Sequence, residues 1–187
     1  MATPWDLKLT VDAIGHDSAH VRFRRLSPDG AHPHISVRTG PLMIYCLDPR
    51  SVTDMASAWA AAQVRAAHLL PVDPPPRPAS RTLGTAYPVG EVVLEGRQRW
   101  NVVEPKIGQQ ELLVSVGWLN LRVHDRVALD TNVRAWAQAS AFAGKVFGRP
   151  RTTSFDQLVE QAQIAAVRMS ARDHDRRVER NRRSREP

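Results

Sequence analysis

The sequence predicts an α+β fold: a tandem duplication of a β-β-β-β-α unit, followed by a C-terminal helix with a basic tail. Three observations support this prediction. Residues 21–70 align without a gap with residues 98–147, and eleven of the fifty aligned positions are identical, where average composition gives about three. Apolar and polar residues alternate in the segments before each aligned helix. The end of the chain, from Arg168 onward, is rich in arginine.

The aligned segments share residue types that have definite structural roles. Glycine, proline and aspartate match at places where they favour turns and helix caps. Conservative pairs such as Ile35/Leu112 and Ile44/Leu121 add to the match. Because an internal repeat decides the fold, we expect two units of one design. The identical pairs are Arg22/Arg99, Pro28/Pro105, Val37/Val114, Gly40/Gly117, Leu42/Leu119, Asp48/Asp125, Ala58/Ala135, Trp59/Trp136, Ala60/Ala137, Ala62/Ala139 and Ala66/Ala143.

Four segments of the first copy have the period of two that is typical of half-buried strands. Turn sequences rich in glycine and proline separate them at residues 15–18, 27–30 and 40–41. Segment 42–47 is apolar on both faces, which favours a central strand. The apolar positions are Leu7, Leu9, Val11 and Ala13, then Val21 and Phe23, then Ile35 and Val37, then Leu42 to Leu47.

A helix is predicted after these strands, with Asp48 as its N-cap and Pro49 at the first helical position. We expect Pro71 to end it. In each copy we expect the helix to cover one face of its own antiparallel sheet. One face of this helix is apolar, and it carries Val52, Met55, Trp59, Ala62, Ala66 and Leu69.

The second copy repeats the plan, with strands opened by Val92 and Leu94 and a helix predicted from about Asp130 to Gly148 and Pro150. Trp59 and Trp136 occupy equivalent helical positions, and we expect both to be core residues rather than a binding platform. The proline-rich segment between the copies should be extended; a ligand for a signalling domain is the alternative. The predicted domains are 1–70, the linker 71–82, 83–150 and the C-terminal part 151–187.

A third helix should begin at Ser154, with an apolar stripe that docks on the core. The stripe is Phe155, Leu158, Ala162, Ala165 or Ala166, and Met169. From Arg168 to Pro187 there are eight arginines and four acidic residues, a net +4 of the chain's +7. This tail has two interpretations of nearly equal weight. It is a solvated helix with ion pairs such as Asp173–Arg177 and Glu179–Arg183, or it is an arm that binds nucleic acid.

The sequence argues against several classes of protein. The only cysteine is Cys46, so no internal disulfide and no cysteine zinc cluster can form, and we expect a buried thiol. No apolar run has the length of a signal peptide or a membrane span, which predicts a soluble cytoplasmic protein without membrane contact. The histidines near the predicted turns could bind a metal, but turn histidines without metal are the favoured interpretation. They are His16, His20, His32 and His34.

No motif predicts catalysis or a cofactor. The sequence Gly144-Lys145-Val146 lacks the Ser or Thr of a phosphate-binding loop. A Gly-x-Ser-x-Gly nucleophile motif is absent, and no acidic residues form a convincing acid–base pair. We therefore expect a protein that is not an enzyme and binds no cofactor or metal.

Basic residues supply the candidate binding site. The outward face of the first sheet should carry Lys8, Arg22, Arg24, Arg38 and Tyr45, a combination that can follow phosphates and stack a base. The alternative is that these residues only keep a solvent face polar. The corresponding face of the second copy is less basic, with Glu91, Arg99, Asn101, Asn120 and Arg122. The tail adds Arg172, Arg176, Arg177, Arg180, Arg182 and Arg183.

In element order, residues 5–147 resemble the PUR-repeat and Whirly-type binders of single-stranded nucleic acid. The resemblance implies a nucleic-acid partner, single-stranded rather than duplex, and it transfers no individual residue. The leading hypothesis is therefore a non-enzymatic nucleic-acid-binding protein. The alternative is a protein–protein adaptor or assembly subunit that binds an acidic protein partner or packs in a homo-oligomer. A pocket for a small molecule between the two copies is a third hypothesis.

Overall fold

The computed structural model describes residues 8–15, 20–24, 33–74, 90–105, 111–148 and 154–183. The predicted linker beyond residue 74 and the predicted turn at 27–30 lie outside these ranges. The order of elements is four strands and a helix, twice, and then a third helix, which confirms a mixed α+β class. The elements are β1 (Leu9–Ala13), β2 (His20–Arg24), β3 (His34–Thr39), β4 (Leu42–Cys46), α1 (Pro49–Ala66), β5 (Gly90–Leu94), β6 (Trp100–Val103), β7 (Leu112–Val116), β8 (Leu119–Val123), α2 (Arg126–Phe147) and α3 (Phe155–Arg183).

The strands form two four-stranded sheets that exchange one strand each. Sheet A has the order β1-β8-β7-β6, and sheet B has the order β2-β3-β4-β5. Strand β1 pairs in parallel with β8, and β5 pairs in parallel with β4, whereas the other pairs are antiparallel. The prediction of antiparallel sheets is confirmed for the pairs within each half, but the expectation that each sheet is made from one copy is wrong, because β1 and β5 are exchanged and pair in parallel. Each sheet contains three strands from one half of the chain and one strand from the other half.

The first two helices are exchanged in the same way. Helix α1 packs on β6 and β7 of sheet A, and α2 packs on β2 and β3 of sheet B. The expectation that a helix covers the sheet of its own copy is therefore wrong. The physical reason is that α1 and α2 also pack closely on each other, so that both helices lie between the inner faces of the sheets. Trp59 and Trp136 are fully buried in this core, as predicted.

The register of the strands separates an inner, apolar face from an outer, polar face in each sheet. In sheet B, Ile44 lies opposite Val37 on one side and Val92 on the other. In sheet A, Leu121 has the equivalent neighbours Val114 and Val11. All six side chains are buried. Strand residues on either side of them alternate to the outer face, where most side chains are exposed or half-buried.

Two aspartates hold the exchanged strands against the helices. Asp125 caps α2 by accepting a hydrogen bond from the backbone N–H of Ala128, and its other oxygen accepts from the N–H of Gly15, both at 2.8 Å. Asp48 caps α1 as predicted, and its second oxygen accepts from the N–H of Gly96. Gly15 and Gly96 each follow an exchanged strand with a φ of +60° and +70°. A single carboxylate therefore links a helix start to the end of a strand from the other half.

Five helix ends were predicted from the sequence, and the structure agrees with three of them: the start of α1, the end of α2 and the start of α3. Helix α1 starts at Pro49, and α2 ends at Gly148, whose φ is +71°. Helix α3 starts at a reciprocal capping box, because Ser154 and Gln157 exchange hydrogen bonds of 3.0 and 3.3 Å. Helix α1 ends at Ala66, a turn before Pro71. The predicted start of α2 near Asp130 is wrong, since its cap is Asp125.

Among the described side chains of α3, those that dock on the body lie in its first half. The helix packs on α1, where Leu158 is 5% exposed and the side chains of Phe155, Val159 and Ala162 are partly buried. The predicted stripe does not reach Met169, which is exposed. The helix continues to Arg183, so its 29 residues extend about 43 Å. None of the described helices has the length and apolar character needed to cross a membrane.

Candidate nucleic-acid interface

The register of sheet B brings three of the predicted arginines to neighbouring positions. Arg22 lies opposite Ser36, and Arg24 lies opposite His34, on strands β2 and β3. Arg38 follows on β3, two residues beyond Ser36. Residues that alternate with a buried inner row belong to the outer face. The side chains of Arg22 and Arg24 lie outside the described part of the structure, so the observation concerns their positions in the strand.

The other two side chains on this face are engaged by the protein itself. The Tyr45 hydroxyl donates to Glu91 at 3.3 Å, and its ring meets His34 edge-on at 5.6 Å. Arg38 donates from Nε to the carbonyl of Gly40 at 3.0 Å. Glu91 belongs to the exchanged strand β5, so an acid that the sequence assigned to the second sheet lies on the basic face of the first. Tyr45 is therefore a less available stacking surface than predicted.

Lys8 does not join this group. It precedes β1, and β1 pairs with β8 in sheet A, whereas the arginines lie on β2 and β3 of sheet B. The prediction that Lys8 shares a face with Arg22, Arg24 and Arg38 is wrong, because the exchange of β1 separates them. Lys8 is exposed and has a different set of neighbours.

One end of sheet A carries exposed aromatic and cationic residues that the sequence did not identify as a site. The residues that pair across its four strands at this end are Leu9, Leu119, Val116 and Trp100. The residues one position beyond them form what we call the end row: Lys8, Trp118, Gly117 and Arg99. All four are exposed, and Trp118 retains 40% of its accessible surface. Two backbone hydrogen bonds tie the row together, from Leu9 to Trp118 at 3.0 Å and from Gly117 to Arg99 at 2.8 Å.

The loop before β6 connects the end row to helix α1. Gln98 donates from its backbone N–H to Asp54 of α1 at 2.7 Å and from its side chain to the carbonyl of Glu95 at 2.7 Å. Burial is the main cause that raises the pKa of Asp54. Gly117 has a φ of +59°, and a Cβ there would come within 2.6 Å of the Gln98 amide oxygen. The glycine therefore permits a tight turn beside Trp118 on a loop that is fixed to the helix.

A second row of the outer face is uncharged and rich in hydrogen-bonding groups. We call it the polar row; across the strands it consists of Thr10, Asn120, Ser115 and Asn101. Ser115 donates to the amide oxygen of Asn120 at 2.7 Å. Thr10 and Asn101 are exposed. The charged side chains of the end row and polar row together are Lys8 and Arg99, so these two rows are cationic.

Further along the same face, an acidic group is neutralised by its neighbours. Asp12 lies 3.0 Å from Nε of Arg122 and 2.9 Å from Nε2 of His124. These contacts join β1 to β8 across the parallel pair. The carboxylate of Asp12 is thereby directed toward the guanidinium of Arg122, which reduces the repulsion that it exerts on an anionic ligand.

The sequence patterns made no prediction for Trp118, because it lies in the turn between β7 and β8, where no apolar period indicates burial or exposure. The sequence did contain a signal. In the gapless alignment Trp118 corresponds to Pro41, and both residues follow a turn glycine, Gly40 or Gly117, with positive φ. A turn that accepts proline at this position does not need a large apolar side chain for burial. An aromatic residue there is consequently a candidate for contact with a ligand.

The predicted tail residues lie on α3, beyond the docked part of that helix. Arg172 is exposed, and the side chains of the other predicted arginines lie outside the described residues. They are Arg176, Arg177, Arg180, Arg182 and Arg183. The backbone of α3 includes all of them, so the tail is helical where it is described. The predicted ion pairs of this segment are not tested, because their side chains also lie outside the description.

The cysteine and the metal site considered in the sequence analysis do not contribute to the interface in the described part of the chain. Cys46 is fully buried on β4, as predicted, and burial raises the pKa of its thiol to about 12. Within the described ranges, no group of three or more His, Cys, Asp or Glu side chains could hold a metal ion. His16 and His32 lie outside those ranges.

Comparison with known proteins found no match: no family model, no curated protein and no solved structure is similar to this chain. The charges, aromatic groups and exposed faces described above are therefore the features that point to a function.

Proposed function

We propose that this chain is a non-enzymatic nucleic-acid-binding protein that contacts phosphates through cations on the outer faces of its sheets and along α3. One observation carries the proposal. Helices α1 and α2 occupy the inner faces of the sheets, and each outer face carries basic residues. Sheet B offers Arg22, Arg24 and Arg38, and sheet A offers Lys8 and Arg99 beside the exposed ring of Trp118.

The charge distribution supports an electrostatic mode of binding. The chain carries a net +7, and 23 of its 26 cationic side chains are arginine, which binds phosphate with two parallel hydrogen bonds. Aromatic rings on a sheet stack on bases only when those bases are unpaired. Single-stranded nucleic acid is therefore the favoured partner. Binding of this kind weakens steeply with salt, because each phosphate contact releases a counterion.

Fluorescence anisotropy with labelled single-stranded DNA, duplex DNA and RNA across a salt series tests the proposal. We expect the tightest binding to single strands, with log K falling against log salt by about 0.7 per phosphate contacted. A chain truncated after Ser170, run beside the intact chain, divides the affinity between α3 and the sheets. Absence of binding to all three probes at low salt would show that the proposal is wrong.

A second candidate function is assembly with a protein partner, and exposed apolar residues on α3 favour it. Ile164, Val167 and Met169 of this helix are 46%, 70% and 44% exposed. Under this alternative the chain itself associates through α3. Sedimentation velocity would then detect an oligomer that Val167→Asp dissociates, while a monomer at all concentrations would exclude self-assembly through this helix.

We also propose that the two halves arose by tandem duplication of one β-β-β-β-α unit. Equivalent residues at a separation of 77 positions support it, including the caps Asp48 and Asp125 and the buried pair Trp59 and Trp136. The exchanged strands have matching registers, since β5 meets β4 as β1 meets β8. Equivalent backbone hydrogen bonds run from Leu47 to Leu94 and from His124 to Ala13.

A further inference from the structure

Trp118 occupies a position where the fold does not require a tryptophan. Its counterpart in the first half is Pro41, and the two turns have the same backbone form, with a φ of +55° at Gly40 and +59° at Gly117. A tryptophan that leaves 40% of its surface in water gives up part of the stabilisation that burial would provide. The indole is therefore explained better by a contact with a ligand than by packing.

The turn that carries Trp118 is rigid. Its carbonyl accepts a hydrogen bond from Leu9 of the exchanged strand, and the preceding Gly117 donates to Arg99. Gln98, the neighbour of Arg99, is in turn bonded to Asp54 of α1. A ring presented on fixed backbone loses little conformational entropy when a ligand stacks on it.

Cations lie on both sides of this ring. Lys8 is at the β1 end of the end row and Arg99 is at the β6 end, so three strand spacings of about 4.8 Å place their backbones roughly 14 Å apart. A stacked single strand advances about 3.4 Å per nucleotide. The end row is therefore wide enough for several nucleotides, with a cation at either margin for the phosphates.

The polar row provides the groups that could meet base edges or sugars. Thr10 and Asn101 present a hydroxyl and an amide to solvent, and Ser115 and Asn120 lie between them. Amides and hydroxyls both donate and accept hydrogen bonds, and neither repels a polyanion. The row directly beside Trp118 is thus suited to unstacked bases, whose edges are free.

We propose that the end row and polar row of sheet A form a base-stacking site for single-stranded nucleic acid, in which Trp118 stacks on a base and Lys8 and Arg99 contact flanking phosphates. This inference rests on the proposed function and names the surface that performs it. Sheet B has a different role in binding, because the Tyr45 hydroxyl is hydrogen-bonded to Glu91 and the Tyr45 ring packs on His34. Its arginines contribute charge and not a stacking platform.

The test compares Trp118→Ala, Trp118→Phe and Trp118→Pro with the intact chain, using fluorescein-labelled oligothymidylate of about 20 nucleotides, longer than one typical single-strand site. We expect Trp118→Ala to weaken binding about tenfold or more, the loss typical of one stacked base. Trp118→Phe should recover most of the affinity. The slope of log K against log salt should stay unchanged in all three variants, because no phosphate contact is lost.

Trp118→Pro is the control for misfolding, because the equivalent turn of the first half carries proline, Pro41, at the same position. It should keep the circular dichroism and melting temperature of the intact chain and bind as weakly as Trp118→Ala. Tyr45→Ala is the matched control on sheet B and should change the affinity by less than about twofold. Lys8→Ala should lower the salt slope by about 0.7, one phosphate contact.

The outcomes separate the inference from the function on which it rests. If the intact chain binds the oligonucleotide and all three Trp118 variants bind equally well, the stacking site is wrong and the nucleic-acid function stands. If the Tyr45 variant loses affinity while the Trp118 variants do not, the stacking surface belongs to sheet B. If the intact chain does not bind at low salt, the proposed function falls, and this inference falls with it.

Discussion

At the scale of single residues, Asp125 joins the two halves of the molecule. Its carboxylate is fully buried and accepts from the N–H of Ala128 and the N–H of Gly15. Replacing it with alanine removes a helix cap, which costs about 0.5–2 kcal/mol. It also leaves the buried N–H of Gly15 unpaired, at about 1–3 kcal/mol. We expect Asp125→Ala to lower the free energy of unfolding by about 3 kcal/mol.

Urea denaturation measures this loss, and the chain contains its own matched control. Asp48 makes the equivalent contacts at a half-buried position, where water can replace the lost acceptor. Asp48→Ala should therefore cost less than Asp125→Ala. Asp125→Asn keeps one acceptor oxygen and should lie between the intact chain and the alanine variant. Equal losses for the two alanine variants would contradict the role assigned to burial.

The thiol of Cys46 gives a second prediction at this scale. Burial raises its pKa from 9.0 to about 12, so at pH 8 the native protein holds about a thousandth of the thiolate of an exposed cysteine. We expect Ellman's reagent to react with the urea-unfolded chain at least about 10³-fold faster than with the native chain. Because the raised pKa favours the protonated thiol, its contribution to stability is complete below pH 9.0 and falls as the pH rises toward 12. Rapid labelling of the native protein would contradict the buried position on β4.

What sequence patterns predict at the residue scale is burial in regular elements. They identified Trp59, Trp136 and Cys46 as core residues because each lies on an apolar face with a regular period. They made no prediction for Trp118, since a turn has no period from which exposure can be inferred. The signal that the sequence does contain is the alignment of Trp118 with Pro41 after a turn glycine.

At the scale of elements, the sequence patterns predicted the positions of the strands well and the ends of the helices less well. Alternation alone places the strands, because every second residue must be apolar on a half-buried sheet. A helix end depends instead on which side chain satisfies the first backbone N–H groups. For α2 that side chain is Asp125, whose position is fixed by a hydrogen bond to Gly15 from a distant part of the sequence. The local pattern around Asp130 does not contain that information, although the alignment of Asp125 with Asp48, the cap of α1, does indicate the cap.

The attachment of α3 leads to a prediction of its own. Leu158 is 5% exposed at the contact with α1, so Leu158→Ala should lower the free energy of unfolding by about 2–4 kcal/mol through lost burial and a cavity. Ile164→Ala, at an exposed position of the same helix, should change it by less than about 0.5 kcal/mol. Chemical denaturation followed by circular dichroism measures both. If the Ile164 variant loses as much stability as the Leu158 variant, then α3 docks through a longer face than described.

At the scale of the whole molecule, the exchange of strands and helices was beyond the reach of sequence patterns. A period of two states which face of a strand is buried, but not which strand lies beside it. Val11 is an inner residue whether β1 pairs with β2 as a hairpin or with β8 in parallel. Helix α1 has the same apolar face whether it covers sheet A or sheet B. The similarity of the two halves was visible in the sequence, whereas the pairing depends on contacts between residues more than 100 positions apart, such as Gly15 and Asp125.

This exchange predicts that neither half folds alone as a monomer. A fragment of residues 1–82 retains β1 without β8 and α1 without β6 and β7, and a fragment of residues 83–187 lacks the converse partners. Each would expose an apolar helix face and an unpaired strand edge. Mixed in equal amounts, the fragments should recover the circular dichroism and the single unfolding transition of the intact chain. A fragment that does fold should sediment as a dimer, because a second copy can supply the missing equivalent elements, whereas a folded monomeric fragment would contradict the exchanged topology.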